Sequence, residues 1–379
     1  MYFKITNEKE NHYGYQYTDG LNILDKEFDN NPYNNCSRGG LYFTTKENIS
    51  QFFCYGINLR IIELPLNDPD FQMVKDGNKY RANKIILKER YSLADIRTYE
   101  KFEIYQLGFM WASVNNHPEI VKYMIEKGAD IHAANDYVLQ CASQNGYLEI
   151  VKLLIENGAN IHAKNDCALQ CASENGHLEI VKLLVEKGAD IHAQNDYALR
   201  CASCDGHLEI VKLLIEKGAC TQAENNHALR YASSNGHLEI VKLLTENGAC
   251  IQAENDQALQ WASLYGHLEI VKLLVEKGAN IHAENDQALR WASENGHLEI
   301  VKLLVEKGAN IHAKNDQALR SASLYGHLEI VKLLVEKGAN IHAENDQALL
   351  WAIPKMAIHK LLNFLKHWKK IEKNNNCIK

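Results

Sequence analysis

The sequence predicts a mainly α chain: a solenoid of 30-residue helix–turn–helix units with a small α+β domain at its N-terminus. Three observations predict it. An Ala-Ser pair recurs at a fixed step of 30 residues, as Ala112-Ser113, Ala142-Ser143, Ala172-Ser173, Ala202-Ser203, Ala232-Ser233, Ala262-Ser263, Ala292-Ser293 and Ala322-Ser323, with no insertion. A fixed period of that size marks a stacked array in which each unit buries its apolar side only against its neighbours. Each unit also holds two helical patterns closed by glycine, such as Gly296 and Gly308, where the left-handed conformation of a helix C-cap is cheap. Residues 1–104 lack the period and read as short apolar runs between turn signals.

The repeat is numbered here from its Asn-Asp, with Asn285 as position 1. Asp286 is expected to cap a helix over positions 3–11, its carboxylate accepting first-turn N–H groups. Projected at ~100° per residue, Ala288, Leu289, Ala292 and Ser293 (positions 4, 5, 8 and 9) hardly change between repeats and share one side. Positions 3, 6, 7, 10 and 11 vary and share the other. In the second helix, expected over residues 297–307, Leu298, Ile300, Val301, Leu303, Leu304 and Val305 cover most of the circumference. Glu299, Lys302 and Glu306 leave a narrow polar stripe. Helix two is therefore expected between neighbours, while helix one turns its variable side outward.

The run Gly296-His297-Leu298-Glu299-Ile300-Val301-Lys302-Leu303-Leu304-Val305-Glu306-Lys307-Gly308-Ala309-Asn310 resembles the ankyrin repeat, and the match extends from about residue 105 to 343. The period is shorter than the usual 33 residues, and Gln287-Ala288-Leu289-Arg290 stands where that family carries Thr-Pro-Leu-His. The resemblance implies a concave protein-binding face built from first helices and connector hairpins. With the connector shortened, the helix faces are expected to carry more of it. Eight repeats are expected over 105–344, followed over 345–379 by a degenerate capping repeat, broken by Pro354, and a polar tail. The first repeat has Asn116 at the glycine position and Pro118 in the first turn of helix two, where a missing N–H costs little.

In the N-terminal domain, Gly39-Gly40 precedes a strand-like run at 41–44, and 46–55 suits a helix closed by Gly56. Residues 59–64 read as a strand, and runs at 71–74 and 80–87 flank a hairpin turn at Asp76-Gly77-Asn78. Ser92 with Asp95 starts a helix leading into the array. The layout, with Gly39-Gly40-Leu41-Tyr42-Phe43-Thr44-Thr45 and Lys79-Tyr80-Arg81-Ala82-Asn83-Lys84-Ile85, resembles the N-terminal segment shared by multi-copy ankyrin proteins of giant DNA viruses such as mimivirus.

A net charge of −7 and a pI near 6.2 argue against nucleic-acid binding. No apolar run is long enough to cross a membrane, and the charged N-terminus is unlike a signal peptide. The ten cysteines show no framework spacing and are expected to be reduced thiols of an intracellular protein, in the host cell cytoplasm. Cys201-Ala202-Ser203-Cys204 lacks the second pair that zinc would need. Histidines at positions 13 and 28 recur once per repeat, so they are expected to bond connector backbone rather than a metal. The basic stretch at 355–373 reads as a cap helix with a solvated face rather than a membrane contact. Arg60, Glu63, Arg81 and Lys84 form no nucleophile–base pairing. The chain is expected to be a non-enzymatic monomer without cofactor or metal.

The candidate site lies on the variable side. Position 7 holds Trp111, Cys141, Cys171, Cys201, Tyr231, Trp261, Trp291, Ser321 and Trp351. Positions 10 and 11 hold Leu264-Tyr265 and Leu324-Tyr325 where other repeats carry pairs such as Glu-Asn or Gln-Asn. Trp261, Leu264 and Tyr265 meet at i, i+3, i+4. Trp261, Trp291 and Trp351 are expected to form a nearly continuous aromatic strip, with Arg290 and Arg320 beside it. Such residues dominate protein-binding hot spots. The competing expectation is that position 7 packs beneath the connector as core. The function that follows is a protein-binding scaffold engaging a host or viral protein. The alternative is a substrate adaptor of a ubiquitin ligase with residues 1–104 as recruiter, although the tail is too short for an F-box-like terminus.

Overall fold

The structure, a computed structural model, describes residues 1–12, 14–31 and 39–351, with Leu349 and Trp351 described by backbone alone. It divides into two compact units, 1–168 and 169–379. In the first unit the strands are β1 (Tyr2–Thr6), β2 (Asn11–His12), β3 (Tyr15–Gln16), β4 (Gly20–Ile23), β5 (Leu41–Thr45), β6 (Asn58–Glu63), β7 (Met73–Asp76), β8 (Lys79–Ala82) and β9 (Lys84–Ser92). Seven of them make one sheet in the order β4-β9-β6-β1-β5-β8-β7, and β2 with β3 forms a separate hairpin. Every pairing is antiparallel.

β1 lies at the centre of the sheet and is buried on both faces, so its alternation carries two cores. Phe3 points towards the helices and meets Phe102 edge-on at 5.3 Å. Tyr2 points the other way and meets Phe43 at 5.2 Å, beside the cluster of Tyr17, Leu41, Ile62, Ala82, Ile85 and Leu87. The expected hairpin is present: Asp76 pairs with Lys79 across a two-residue turn. The run expected at 80–87 splits into β8 and β9 at Asn83, whose side chain accepts the Gln72 N–H at 2.8 Å and donates to the Asp70 carbonyl at 2.7 Å. The helix expected at 46–55 forms as a 3₁₀ helix, Lys46–Tyr55.

Gly56 closes that helix at φ 157, ψ −163, a region essentially reserved for glycine. A Cβ there would lie 2.1 Å from the Thr6 carbonyl oxygen. α1 (Ile96–Phe102) begins at Asp95, whose carboxylate accepts the Arg97 N–H at 3.0 Å. The first repeat follows as α2 (Tyr105–Val114) and α3 (Pro118–Glu126), with Asn116 left-handed at φ 58 and Pro118 opening its helix as expected. Residue 104 marks a change of pattern but not of packing. Trp111 of α2 is fully buried and donates its indole N–H to the Gly56 carbonyl at 3.1 Å, and α2 packs on the 3₁₀ helix.

Helix pairs continue at the 30-residue step to Ala343–Trp351. In the repeat starting at Asn285, Ala288, Leu289, Ala292 and Ser293 are buried, as the pattern predicts. On its second helix, Leu298–Glu306, Ile300, Val301 and Leu304 are buried, and Leu298, Leu303 and Val305 half-buried. Glu299 and Lys302 pair at 2.7 Å on the exposed stripe, a contact of at most modest value.

The connector differs from expectation. Glu284, Asn285 and Asp286 are all left-handed, with φ of 52, 57 and 55, and the same three positions are left-handed in every repeat from Ala134 onward. Asp286 therefore does not act as an N-cap, which requires extended backbone. Its carboxylate accepts the Asn310 N–H at 2.7 Å and meets His282 Nδ1 at 3.0 Å. Left-handed residues cost roughly 1–2 kcal/mol each, least for Asn and Asp, and these side-chain bonds offset that cost. The capping repeat beyond residue 351, including Pro354, and the basic stretch lie outside the described residues.

Candidate partner-binding face

Three recurring side chains set the frame from which the first helix projects. The position-13 histidine reaches back to the preceding repeat. His207, His237, His267, His297 and His327 each donate from Nε2 to the carbonyl at position 10, of Glu174, Cys204, Ser234, Leu264 and Glu294, at 2.8–2.9 Å. These carbonyls stand at the end of helix one, where no intrahelical donor is left. Each ring rests on the position-12 glycine of the preceding repeat: a Cβ at Gly296 would lie 2.7 Å from His327. Position 13 thus bonds backbone, but at the end of helix one rather than in the connector as expected. At position 28 the ring nitrogen goes to the Asp carboxylate instead, as in His282–Asp286 and His312–Asp316, both 3.0 Å.

Position 6 is the third element of the frame, and here Arg290 and Arg320 bond the connector backbone. Arg290 is 4% exposed. Its guanidinium donates to the Asn285 and Glu284 carbonyls at 3.0 and 2.9 Å and to Gln317 Oε1 at 2.9 Å, one repeat on. Arg320 repeats the pattern on the Asn315 and Lys314 carbonyls and Gln347 Oε1. Gln140 and Gln260 reach the same position-1 carbonyl, of Asn135 and Asn255, at 2.7 and 2.6 Å. The left-handed turn leaves these carbonyls without helical partners, and a long donor at position 6 satisfies them. The two arginines clamp the connector.

Position 7 is graded. Trp111, Cys141 and Ser321 are buried, whereas Tyr231, Trp261 and Trp291 are half-buried. Trp261 packs edge-on against Tyr231 at 5.1 Å, with the Arg230 guanidinium 5.9 Å from its ring. No ring pair joins Trp261 to Trp291 among the described residues. Helices stacked 8–10 Å apart bring rings within the 4.5–7 Å of a pair only when side chains lean together. The side chain of Trp351 lies outside the described residues. At positions 10 and 11 the exposure is plain: Tyr265 is 57% and Tyr325 49% exposed, beside half-buried Leu264 and Leu324.

The remaining candidates are dispersed. Arg60 pairs with Glu10 and Asp19, Arg81 with Asp76 and Asp29, Lys84 with Asp68, and Glu63 with Lys88. Burial pushes the Cys201 thiol up to about 11 and raises that of Cys204, the opposite of an activated or metal-binding pair. Among the described residues no helix is long and apolar enough to cross a membrane.

Models of ankyrin repeats match residues 109–195, 192–255 and 250–315, and a single-repeat model matches 318–346. The Acanthamoeba polyphaga mimivirus ankyrin repeat protein R868 is 43% identical over 134 residues, which cover 33% of this chain and 67% of that protein. R896 of the same virus is 40% identical over 144 residues, 35% of this chain, and the match spans only 43% of its own length. The uncharacterized mimivirus protein R869 is 44% identical over 143 residues, 38% of this chain and 88% of its own. Among solved structures, the crystal structure of the human ASB11 ankyrin repeat domain aligns with a TM-score of 0.48 at 29% identity, over 52% of this chain and 96% of that one. By its helix pairs, its recurring inner positions and the family models that match residues 109–346, the chain belongs to the ankyrin-repeat family.

Proposed function

We propose that this chain is a protein-binding scaffold that acts without catalysis. Its partner, a host or viral protein in the host cell cytoplasm, docks on first-helix residues of 261–325: Trp261, Leu264, Tyr265, Trp291, Leu324 and Tyr325. One observation carries the reading. Tyr265 and Tyr325 stand half-exposed at position 11, where the other repeats from 105 to 314 place Asn or Asp, and each lies beside a leucine that is not fully covered. A rigid amphipathic ring with an adjacent apolar side chain is the composition of an interface anchor. Arg290 and Arg320 support this face from behind rather than contact the partner. Trp351 extends the row by register. The chain acts as a monomer in this reading.

The test uses the full chain as bait in host-cell lysate beside a Tyr265→Ala/Tyr325→Ala variant, followed by affinity measurement with each purified captured protein. The expected result is a partner whose affinity for the double variant falls at least about thirtyfold, from about 2 kcal/mol of lost anchoring. A partner held equally by both proteins would move the contact elsewhere. Ubiquitin-ligase subunits retained by the double variant would favour the adaptor function instead.

A further inference from the structure

Lys4 stands in the middle of the central strand β1, directly across from Arg60 in β6. Its side chain is 4% exposed. Nζ donates to the Tyr42 carbonyl at 2.8 Å and lies 4.4 Å from the centre of the Tyr17 ring. Among the described residues, no carboxylate lies within ion-pair distance of it. A buried charge without a counter-charge is costly, and burial accordingly pulls the Lys4 pKa down to about 7.

The ammonium borders a cavity of about 240 Å³ walled by the rings of Tyr15, Tyr17, Tyr42, Phe43, Phe52 and Tyr55. Lys79 reaches the same cavity with its Nζ 4.3 Å from the centre of the Tyr42 ring. His12, also on the wall, is depressed to about 4, first by burial and then by Lys4 and Lys79. Burial thus leaves His12 neutral, so it adds no charge beside Lys4 and Lys79. Of the described lining residues Asp25 alone is acidic, against Lys4, Lys26 and Lys79.

We propose that this cavity binds a small aromatic monocarboxylate, with the carboxylate on the Lys4 ammonium and the ring between the tyrosine and phenylalanine side chains. The ligand supplies the counter-charge that the fold withholds from Lys4, and its planar body matches a wall made of rings. The volume lies below the roughly 300–1,000 Å³ of sites for drug-sized ligands, which fits one ring and its anionic group. The site is independent of the partner-binding face.

The probe is benzoate, titrated calorimetrically into the full chain at pH 6.5 and 8.5, with benzamide and inorganic phosphate as controls. The bound carboxylate holds Lys4 protonated, whereas in the unliganded protein the amine loses its proton above about pH 7. Benzoate affinity should therefore fall roughly twentyfold between the two pH values, with proton uptake on binding at pH 8.5. The other groups facing Lys4 are Arg60 and Glu10 from the sheet side and His12, Tyr17, Asp25, Lys26 and Lys79 around the cavity. His12 and Tyr17 are shifted in opposite directions, and neither changes charge across this range. Benzamide and phosphate should bind at least about tenfold more weakly than benzoate, and Lys4→Met should remove benzoate binding. Should Lys4→Met fail to fold, the pH comparison on the unaltered chain carries the test. Absence of saturable benzoate binding at pH 6.5, equal affinity for benzamide or phosphate, or affinity that ignores pH would each overturn the proposal.

Discussion

The carboxylate of Asp286 holds the backbone N–H of Asn310 at 2.7 Å, joining the start of one first helix to the connector 24 residues on. Asp136, Asp256 and Asp316 repeat the bond to Asn160, Asn280 and Asn340. Asp286→Ala should destabilise the array by about 1–3 kcal/mol, because a part-buried N–H loses its acceptor. Asp286→Asn should cost less, since Asn226 serves Cys250 in the same way. Hydrogen exchange at the Asn310 amide reads both effects at the bond itself.

Asp256 differs from its counterparts in having Gln252, rather than histidine, four residues before it, and Gln252 bonds the Gly278 carbonyl. Burial raises the Asp256 pKa, offset only in part by the Asn280 N–H. A carboxyl whose folded pKa is raised contributes most at low pH, and that contribution is lost as pH rises through the folded pKa. Asp256→Asn should therefore raise the melting temperature at pH 7 and lose that advantage near pH 3. A gain that persists unchanged at pH 3 would assign it to packing.

Arg290→Gln should be nearly neutral to stability, because glutamine at this position reaches the same carbonyl in two other repeats. Arg290→Met should cost about 1–3 kcal/mol, as it strips the Asn285 and Glu284 carbonyls of their donor. Thermal melts of the two variants check the pair. Partner affinity should follow neither substitution.

Trp111→Ala should destabilise by about 3–5 kcal/mol, the range for a fully buried tryptophan. Trp291, half-buried, should lose less stability and more binding. Chemical denaturation paired with partner titration separates the two, and equal losses of stability would make position 7 a packing position throughout.

Among the described cysteines, iodoacetamide at pH 8 should modify the exposed Cys54, Cys220 and Cys250 first. Cys201, its thiol raised to about 11 by burial, should react at least about tenfold more slowly. Peptide mapping over a time course gives the order, and denaturant should erase it.

The period, the helix pairs, their inner faces and the 76–79 hairpin are legible in the sequence because each depends on spacing within one or two turns. The sheet is not. β1 pairs with residues 41 or more positions away (Phe3 with Thr44, Tyr2 with Ile62), and β1 to β4 carry no local turn signature strong enough to announce them. Position 6 misleads for a different reason: Arg and Gln alternate there, which resembles freedom, yet both reach one carbonyl. Asn-Asp misleads because the residues that favour an N-cap also tolerate left-handed backbone. Lys4 gives only a lysine inside an apolar strand, with nothing nearby in sequence to mark the cavity.

The fit of His327 against Gly296, and of each position-13 histidine from His207 onward against the glycine before it, gives each of these joints the same two mating parts. A 30-residue block carries one of each, so duplication or loss of whole blocks recreates a joint already present elsewhere. An insertion of any other length breaks one. Recombination between near-identical repeats can therefore lengthen or trim the array without inventing a new junction. The residues at positions 7, 10 and 11 then travel as cassettes, reassorted along an array whose seams stay constant.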